Sequence, residues 1–153
     1  MAGELNLPTL GDLYEIVFEA VTGSNAKEVI AMDDISLTPG NTCEYFKSTM
    51  TTRPSTPKPI PSVYQCSFEK DFCDWILDSP GTNQWKRQTG LEATEFGRAP
   101  FIDVTYSKPS GYYAYLNSKS SDLLLASYLK TPILTAKSEA CLEFWYNIGG
   151  PSS

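Results

Sequence analysis

An all-β chain folded as an antiparallel β-sandwich is what this sequence predicts, on three observations. Short apolar or aromatic runs recur along its length, with Gly, Pro, Asn and Ser clusters between them, the punctuation expected of strands and turns. Residues 14–20 and 141–146 alternate in character, as a strand buried on one face must. Cys66 and Cys73, seven positions apart, enclose an aromatic and acidic loop that runs straight into Trp75, which suits a small cross-linked turn at the start of a β-rich unit.

Taken in order, Tyr14, Ile16, Phe18 and Ala20 share one side of the first alternating run, a half-buried strand. The turn-rich Thr22, Gly23, Ser24 and Asn25 follow, and Val29, Ile30, Ala31 and Met32 then lead into Asp33, Asp34, Ile35, Ser36 and Leu37. Two such runs around a turn read most simply as a hairpin, closed by Pro39, Gly40 and Asn41. From Phe46 to Pro61 the composition shifts to Lys, Ser, Thr, Arg and Pro, with little apolar area to bury. Residues 44–65 are therefore expected to be an extended, polyproline-like linker between 1–43 and 66–153. The first piece is too small to stand alone, because an isolated hairpin is marginal in water.

The second piece is a series of short β-type runs: Trp75, Ile76 and Leu77 before a turn at 78–81, Trp85, Lys86 and Arg87 before a loop at 89–99, and residues 101–105. After Pro109, Ser110 and Gly111 comes the aromatic strand 112–116. Residues 122–130 have a helical alternative with Ser121 as N-cap, but Pro132, Ile133 and Leu134 favour an extended path. Cys141, Leu142, Glu143, Phe144, Trp145 and Tyr146 form the last strand, stopped by Gly149, Gly150 and Pro151.

At 153 residues with 41% apolar and 12% aromatic content, the chain has material for a core. Its net charge of -6 and pI of about 4.6 argue against nucleic acid, which demands clustered Lys and Arg. The absence of histidine removes the commonest general base and the Ser-His and Cys-His nucleophile pairs together. A carboxylate-pair hydrolase is formally open, yet no two acids stand out as a pair flanking a cleft. The expectation is a chain that is not an enzyme.

The cysteine pair 66 and 73 is open to reading as two thiols, half a metal site or a disulfide. A tetrahedral zinc site would need two further ligands from the distant Cys43 and Cys141. The disulfide is favoured, and would stabilise the fold by about 2 to 3 kcal/mol on the loop-entropy model. Four cysteines suit an oxidising compartment, yet residues 1–20 hold Glu4, Asp12, Glu15 and Glu19 with no basic and apolar leader, so no signal peptide is expected. No apolar run approaches the roughly 20 residues that cross a bilayer. These signals disagree, and suggest a piece of something longer.

The segments Cys66-Ser67-Phe68-Glu69 through Cys73-Asp74-Trp75, then Trp85-Lys86-Arg87, Asp103-Val104-Thr105, Gly111-Tyr112-Tyr113 and the Cys141 strand resemble, in order, the opening of the MAM domain of extracellular receptors and adhesion proteins. Residues 14–20, Gly23 and 30–40, closing on Cys43, are similar to the end of that domain. The order departs from the family, because the closing part comes first. The resemblance implies that 1–43 end one jelly-roll-like MAM domain, 44–65 link it onward and 66–153 begin a second, as in tandem proteins that combine MAM with LDL-receptor class A repeats. In the family the first two cysteines pair, and the third pairs with the fourth. That implies Cys66–Cys73 is complete, and that Cys43 and Cys141 pair if the two parts dock as an incomplete circular permutant. The opposing outcome is two broken half-domains with exposed sheet edges.

The resemblance further implies an extracellular or cell-surface protein serving adhesion or protein–protein recognition, with a protein partner or a homophilic contact. The alternative is an accessory segment of an extracellular protease or receptor phosphatase. Some MAM domains hold calcium, which puts forward Glu69, Asp71, Asp103 and Asp34 as ligands; on sequence grounds turn or capping hydrogen bonds suit Asp33 and Asp34 better. Among the aromatics, core packing is expected for most, including Trp75, Trp85 and Trp145, with Tyr113 or Tyr115 left as surface contacts.

Overall fold

A computed structural model describes residues 1–9, 13–21, 29–40, 43, 64–79, 84–93, 99–117, 126–135 and 138–149. The expected turn at 22–25, nearly all of the linker and the proposed N-cap Ser121 lie outside the described residues. Within them the strands are β1 (Ala2–Leu7), β2 (Leu13–Tyr14), β3 (Val17–Val21), β4 (Val29–Pro39), β5 (Tyr64–Cys66) and β6 (Ile76–Asp78). They continue with β7 (Lys86–Thr89), β8 (Tyr112–Asn117), β9 (Ala126–Lys130), β10 (Leu134–Thr135) and β11 (Ala140–Gly149). A six-stranded sheet runs β1-β11-β4-β8-β7, with β5 also paired to β4, and a three-stranded sheet runs β3-β9-β6. A short β10-β2 ladder completes the set, and all the ladders are antiparallel. The fold is the all-β sandwich that the alternating runs predict.

The hairpin expectation for 14–20 and 29–37 is corrected. β3 pairs with β9, whereas β4 pairs with β11, β8 and β5, so the two runs belong to opposite sheets. Among the described strands, no ladder joins two strands of 1–43; each of them pairs with the later part of the chain. The physical reason is area: β4 lies between β11 and β8, where both backbone edges are satisfied and both faces are covered. Ala20, Met32, Ile35 and Leu37 of the first part share one core with Phe68, Trp75, Trp85, Leu116, Leu129 and Leu142 of the second.

The two disulfides are Cys66–Cys73, with Cα atoms 5.9 Å apart, and Cys43–Cys141, at 4.9 Å and 98 residues apart in sequence. The first closes a loop in which Phe68 and Cys73 both take positive φ, at 56° and 54°. Arg87 holds that loop from β7: its Nε donates to the Phe68 carbonyl and a second nitrogen to the Glu69 carbonyl, both at 2.6 Å. The second disulfide ties the end of the β4 segment to β11, assisted by a hydrogen bond from the Cys43 N–H to Asn6 Oδ1 at 2.6 Å.

Inward-facing side chains follow the alternation. Ile16, Phe18 and Ala20 pack inward while Val17 and Val21 stay exposed. Phe18 lies 5.6 Å from Trp75 and 5.0 Å from Phe144, ring centroid to centroid, and joins the small sheet to the large one. Ser127, Leu129 and Thr131 form the buried side of β9 and its end, and Thr131 Oγ1 accepts the Ile16 N–H at 3.0 Å.

Candidate functional site

The site is created by one irregularity in β4. Trp145 pairs with Asp33 and Glu143 with Ser36, so two residues of β4, Asp34 and Ile35, oppose Phe144 alone. This is a β-bulge, and Asp34 carries it with φ at 46°. Its effect is to re-phase the strand: Ile30 and Met32 point to the sandwich core before it, and Ile35 and Leu37 after it. Asp33 is thereby turned to the outer face beside Trp145, and the adjacent Asp34 reaches the loop that covers that face.

That covering loop is the chain between β7 and β8. Residues 101–105, read from sequence as a β-type run, are a series of bends here and form no strand. The reason is Asp103: its two oxygens accept the N–H groups of Tyr106 and Lys108 at 2.7 and 2.8 Å, turning the backbone away from a ladder. Asp103 is 2% exposed. Gly111 must be glycine because a Cβ there would overlap the Asp103 carboxyl group. Asp33 and Asp34 then pin the loop to the sheet. The Val104 N–H donates to Asp33 Oδ2 at 2.8 Å, the Asp34 N–H to Asp33 Oδ1 at 2.9 Å, and the Thr105 hydroxyl to Asp34 Oδ1 at 2.6 Å. Tyr113, from β8, donates to the Pro100 carbonyl at 2.7 Å.

Between this loop and β11 lies a groove of about 240 Å³. Its lining includes Asp33, Ile102, Asp103, Tyr113, Trp145 and Asn147. Trp145 is 43% exposed and Ile102 49%, with the exposed Phe101 adjacent in sequence. Trp75 and Trp85 lie in the core as expected, but the roles expected of Trp145 and of Tyr113 and Tyr115 are exchanged. Tyr113 and Tyr115 are buried under the loop with Val29, Ala31 and Ala93, whereas Trp145 faces solvent. The strand alternation carried the signal, because Trp145 shares its side of β11 with Cys141 and Glu143 while Phe144 and Tyr146 point to the core.

Electrostatics at the bulge are unfavourable to charge. Burial, seconded by the negative charges of Asp34 and Asp103, pushes the Asp33 carboxyl up to about 7, against the pull of its two backbone hydrogen bonds. Glu69 is raised as well, first by burial and then by Asp103 and Asp34, while the Tyr112 N–H and Arg87 oppose the rise.

Of the residues put forward for calcium, Glu69 Oε1 accepts the Tyr112 N–H at 3.1 Å, and Asp71 Oδ1 accepts the Cys73 N–H at 2.7 Å on the exposed disulfide loop. Asp34 and Asp103 are bound into the covering loop as above. Among the described residues no three His, Cys, Asp or Glu side chains form a group able to hold a metal ion. The donor set fits calcium in its chemistry, since the oxygens are hard and the charges of Asp103 and Asp34 bear on Glu69; it is not an assembled cage.

No helix among the described residues is long and apolar enough to cross a membrane. No solved structure matches the chain. Among curated proteins it is 27% identical over 125 residues to the human MAM domain-containing protein 2, covering 80% of this chain and 16% of that protein. It is also 27% identical over 112 residues to mouse zonadhesin, covering 65% of this chain and 2% of that protein. The chain thus spans a small part of the relatives it matches. The family model for the MAM domain, meprin/A5/mu, matches residues 66–153, beginning at the first cysteine of the small disulfide, and the chain belongs to that family.

Proposed function

We propose that this chain is a non-catalytic extracellular module for adhesion or protein recognition, and that the groove beside Trp145 is its contact surface. The single observation that carries this reading is the exposed apolar lining of the groove, Trp145 and Ile102, with Phe101 and Tyr106 also exposed on the covering loop. Exposed aromatics around a concavity are a usual anchor for a protein partner. Two disulfides, with no free cysteine among the described residues, suit an oxidising environment.

The parent architecture belongs to the same proposal. Residues 1–43 close one MAM domain, 44–65 link, and 66–153 open the next, a reading supported by the start of the family match at residue 66. The completion of the large sheet by β4 then reflects the likeness between successive modules. Calcium at Glu69, Asp34 and Asp103, with Asp71 alongside, is proposed on the hard oxygens of these acids and on the negative charges of Asp103 and Asp34 near Glu69. A rise in melting temperature with millimolar calcium supports it, and an unchanged temperature removes it.

The recognition reading is tested by saturation binding of the labelled, oxidised chain to a panel of cell lines. Saturable binding that is lost when surface proteins are removed with trypsin, and weakened by Trp145→Ala, is the expected result. Binding that does not saturate, or that survives trypsin, overturns the assignment.

A further inference from the structure

The groove has a chemical asymmetry that narrows its partner. Its lining offers acceptor oxygens from Asp33, Asp103 and Asn147 beside apolar and aromatic surface, and among the described residues no Lys or Arg side chain lines it. The Met1 ammonium at the rim is bonded to the Tyr146 carbonyl at 2.7 Å. Asn147 Oδ1 is buried and has no hydrogen-bond partner among the described residues. A buried acceptor left in that state is unfavourable, and an incoming donor would satisfy it. Asp33 already accepts two backbone N–H groups, yet each carboxylate oxygen retains a further lone pair. Trp145 supplies an accessible indole at the same place, and the indole face is the best side-chain surface for a cation.

We propose that the groove receives a cationic side chain, arginine foremost, presented by an extended segment of the partner protein. Guanidinium suits it better than ammonium, because a planar fork can stack on an indole while directing several N–H donors at the oxygens below. The chain's own charge of -6 favours the approach of such a segment. This inference deepens the recognition reading and rests on it, naming what the contact surface reads.

The test is a titration of the full oxidised chain, in the presence of a calcium chelator, with acetyl-Gly-Arg-Gly-amide and its neutral citrulline isostere. It is followed through the indole and Asn side-chain signals in nitrogen-15 correlation spectra. The arginine peptide should shift the Trp145 indole and Asn147 amide saturably, with the citrulline peptide at least about tenfold weaker, a difference of about 1.4 kcal/mol. Asp33→Asn should reduce the preference for arginine. Because that change lies in a buried network, Trp145→Ala, at an exposed position, is the second variant and should weaken the arginine peptide as well. Equal responses to the two peptides, or no saturable shift, overturn the proposal, as does a response to millimolar calcium without chelator where the arginine peptide gives none. Should the peptides fail while trypsin-sensitive cell binding persists, the cation reading falls and the recognition reading stands; peptide shifts without any cell binding give the reverse.

Discussion

Phe144 and Trp145 are consecutive residues of β11 on opposite faces of the large sheet. Phe144 meets Phe18 and Tyr146 in the sandwich interior, at centroid distances of 5.0 and 5.9 Å, while Trp145 faces the groove and is 43% exposed. The inner face holds large rings and aliphatic side chains drawn from both parts of the chain. The outer face holds a smaller apolar cluster, three carboxylates and a loop fastened by their hydrogen bonds. The difference separates two duties. Non-directional burial on one side secures the fold, and directional polar contacts on the other shape a surface. The bulge at Asp34 lets one strand serve both.

The largest disturbance is to the link that keeps both faces in existence. Cys43–Cys141 closes a segment of 98 residues and fastens the β4 segment to β11. On the loop-entropy model its loss costs about 4 to 5 kcal/mol, against about 2 to 3 for the short loop of Cys66–Cys73. Urea denaturation of Cys43→Ser should therefore show loss of cooperative structure or a midpoint shift well beyond that of Cys73→Ser. Equal shifts would mean that β4 is held by packing alone. Next comes the inner face itself. Leu129, fully buried on β9, should cost about 2 to 5 kcal/mol as Leu129→Ala in the same measurement, with the groove's binding behaviour retained wherever the protein remains folded.

This division was partly legible in the sequence. Alternation placed Ile16, Phe18 and Ala20 inward without any knowledge of their partners, since a period of two depends only on the pleat. Pairing was not legible, because the strands adjacent to β4 lie on the far side of a long connection and the nearer run joins the other sheet. The bulge was hidden for a related reason: Asp33 and Asp34 look like turn residues, and only the mismatch of Glu143 and Trp145 against Ser36 and Asp33 reveals an extra residue. At 101–105 the apolar and β-branched residues favour a strand, while one carboxylate outcompetes the ladder by capturing two N–H groups. The four acids put forward for calcium are where a reader of motifs would look, yet hydrogen bonds within the chain hold each of them: backbone N–H groups for Glu69, Asp71 and Asp103, and the Thr105 hydroxyl for Asp34.

A smaller effect, and one confined to the outer face, is the pH dependence of stability. The Asp33 carboxyl titrates near 7 when folded, against 3.8 for an ordinary aspartate. Its proton is therefore bound more tightly in the folded chain, and between these values folding takes up protons. Stability falls as pH rises through that window, and the whole penalty is present above about pH 7. Asp34 and Asp103 face the same group and add to its penalty, and Tyr113 lies beside it, uncharged throughout the window because burial holds its hydroxyl above the ordinary range. The difference converts to a ceiling of about 4 kcal/mol, and solvent relaxation at the groove reduces this to about 1 to 2 kcal/mol. Denaturation midpoints measured at about pH 5 and pH 8 should fall for the native chain and stay nearly level for Asp33→Asn. An Asp33→Asn protein that falls as steeply would assign the slope to other carboxylates, Glu69 first among them.

The least change in stability is expected at Trp145, and it draws the contrast between the faces most sharply. An exposed ring removed from the rim of a groove leaves no closed cavity, so Trp145→Ala should move stability by no more than about 0.5 kcal/mol. Its neighbour Phe144, truncated in the same way, opens a gap between two other rings and should cost about 3 kcal/mol. Backbone, strand and sequence position are all but shared between the two variants, so the ratio of their effects isolates the face from everything else. Comparable losses would mean that the groove rim is part of the core, and the separation of duties between the two faces would fail with it.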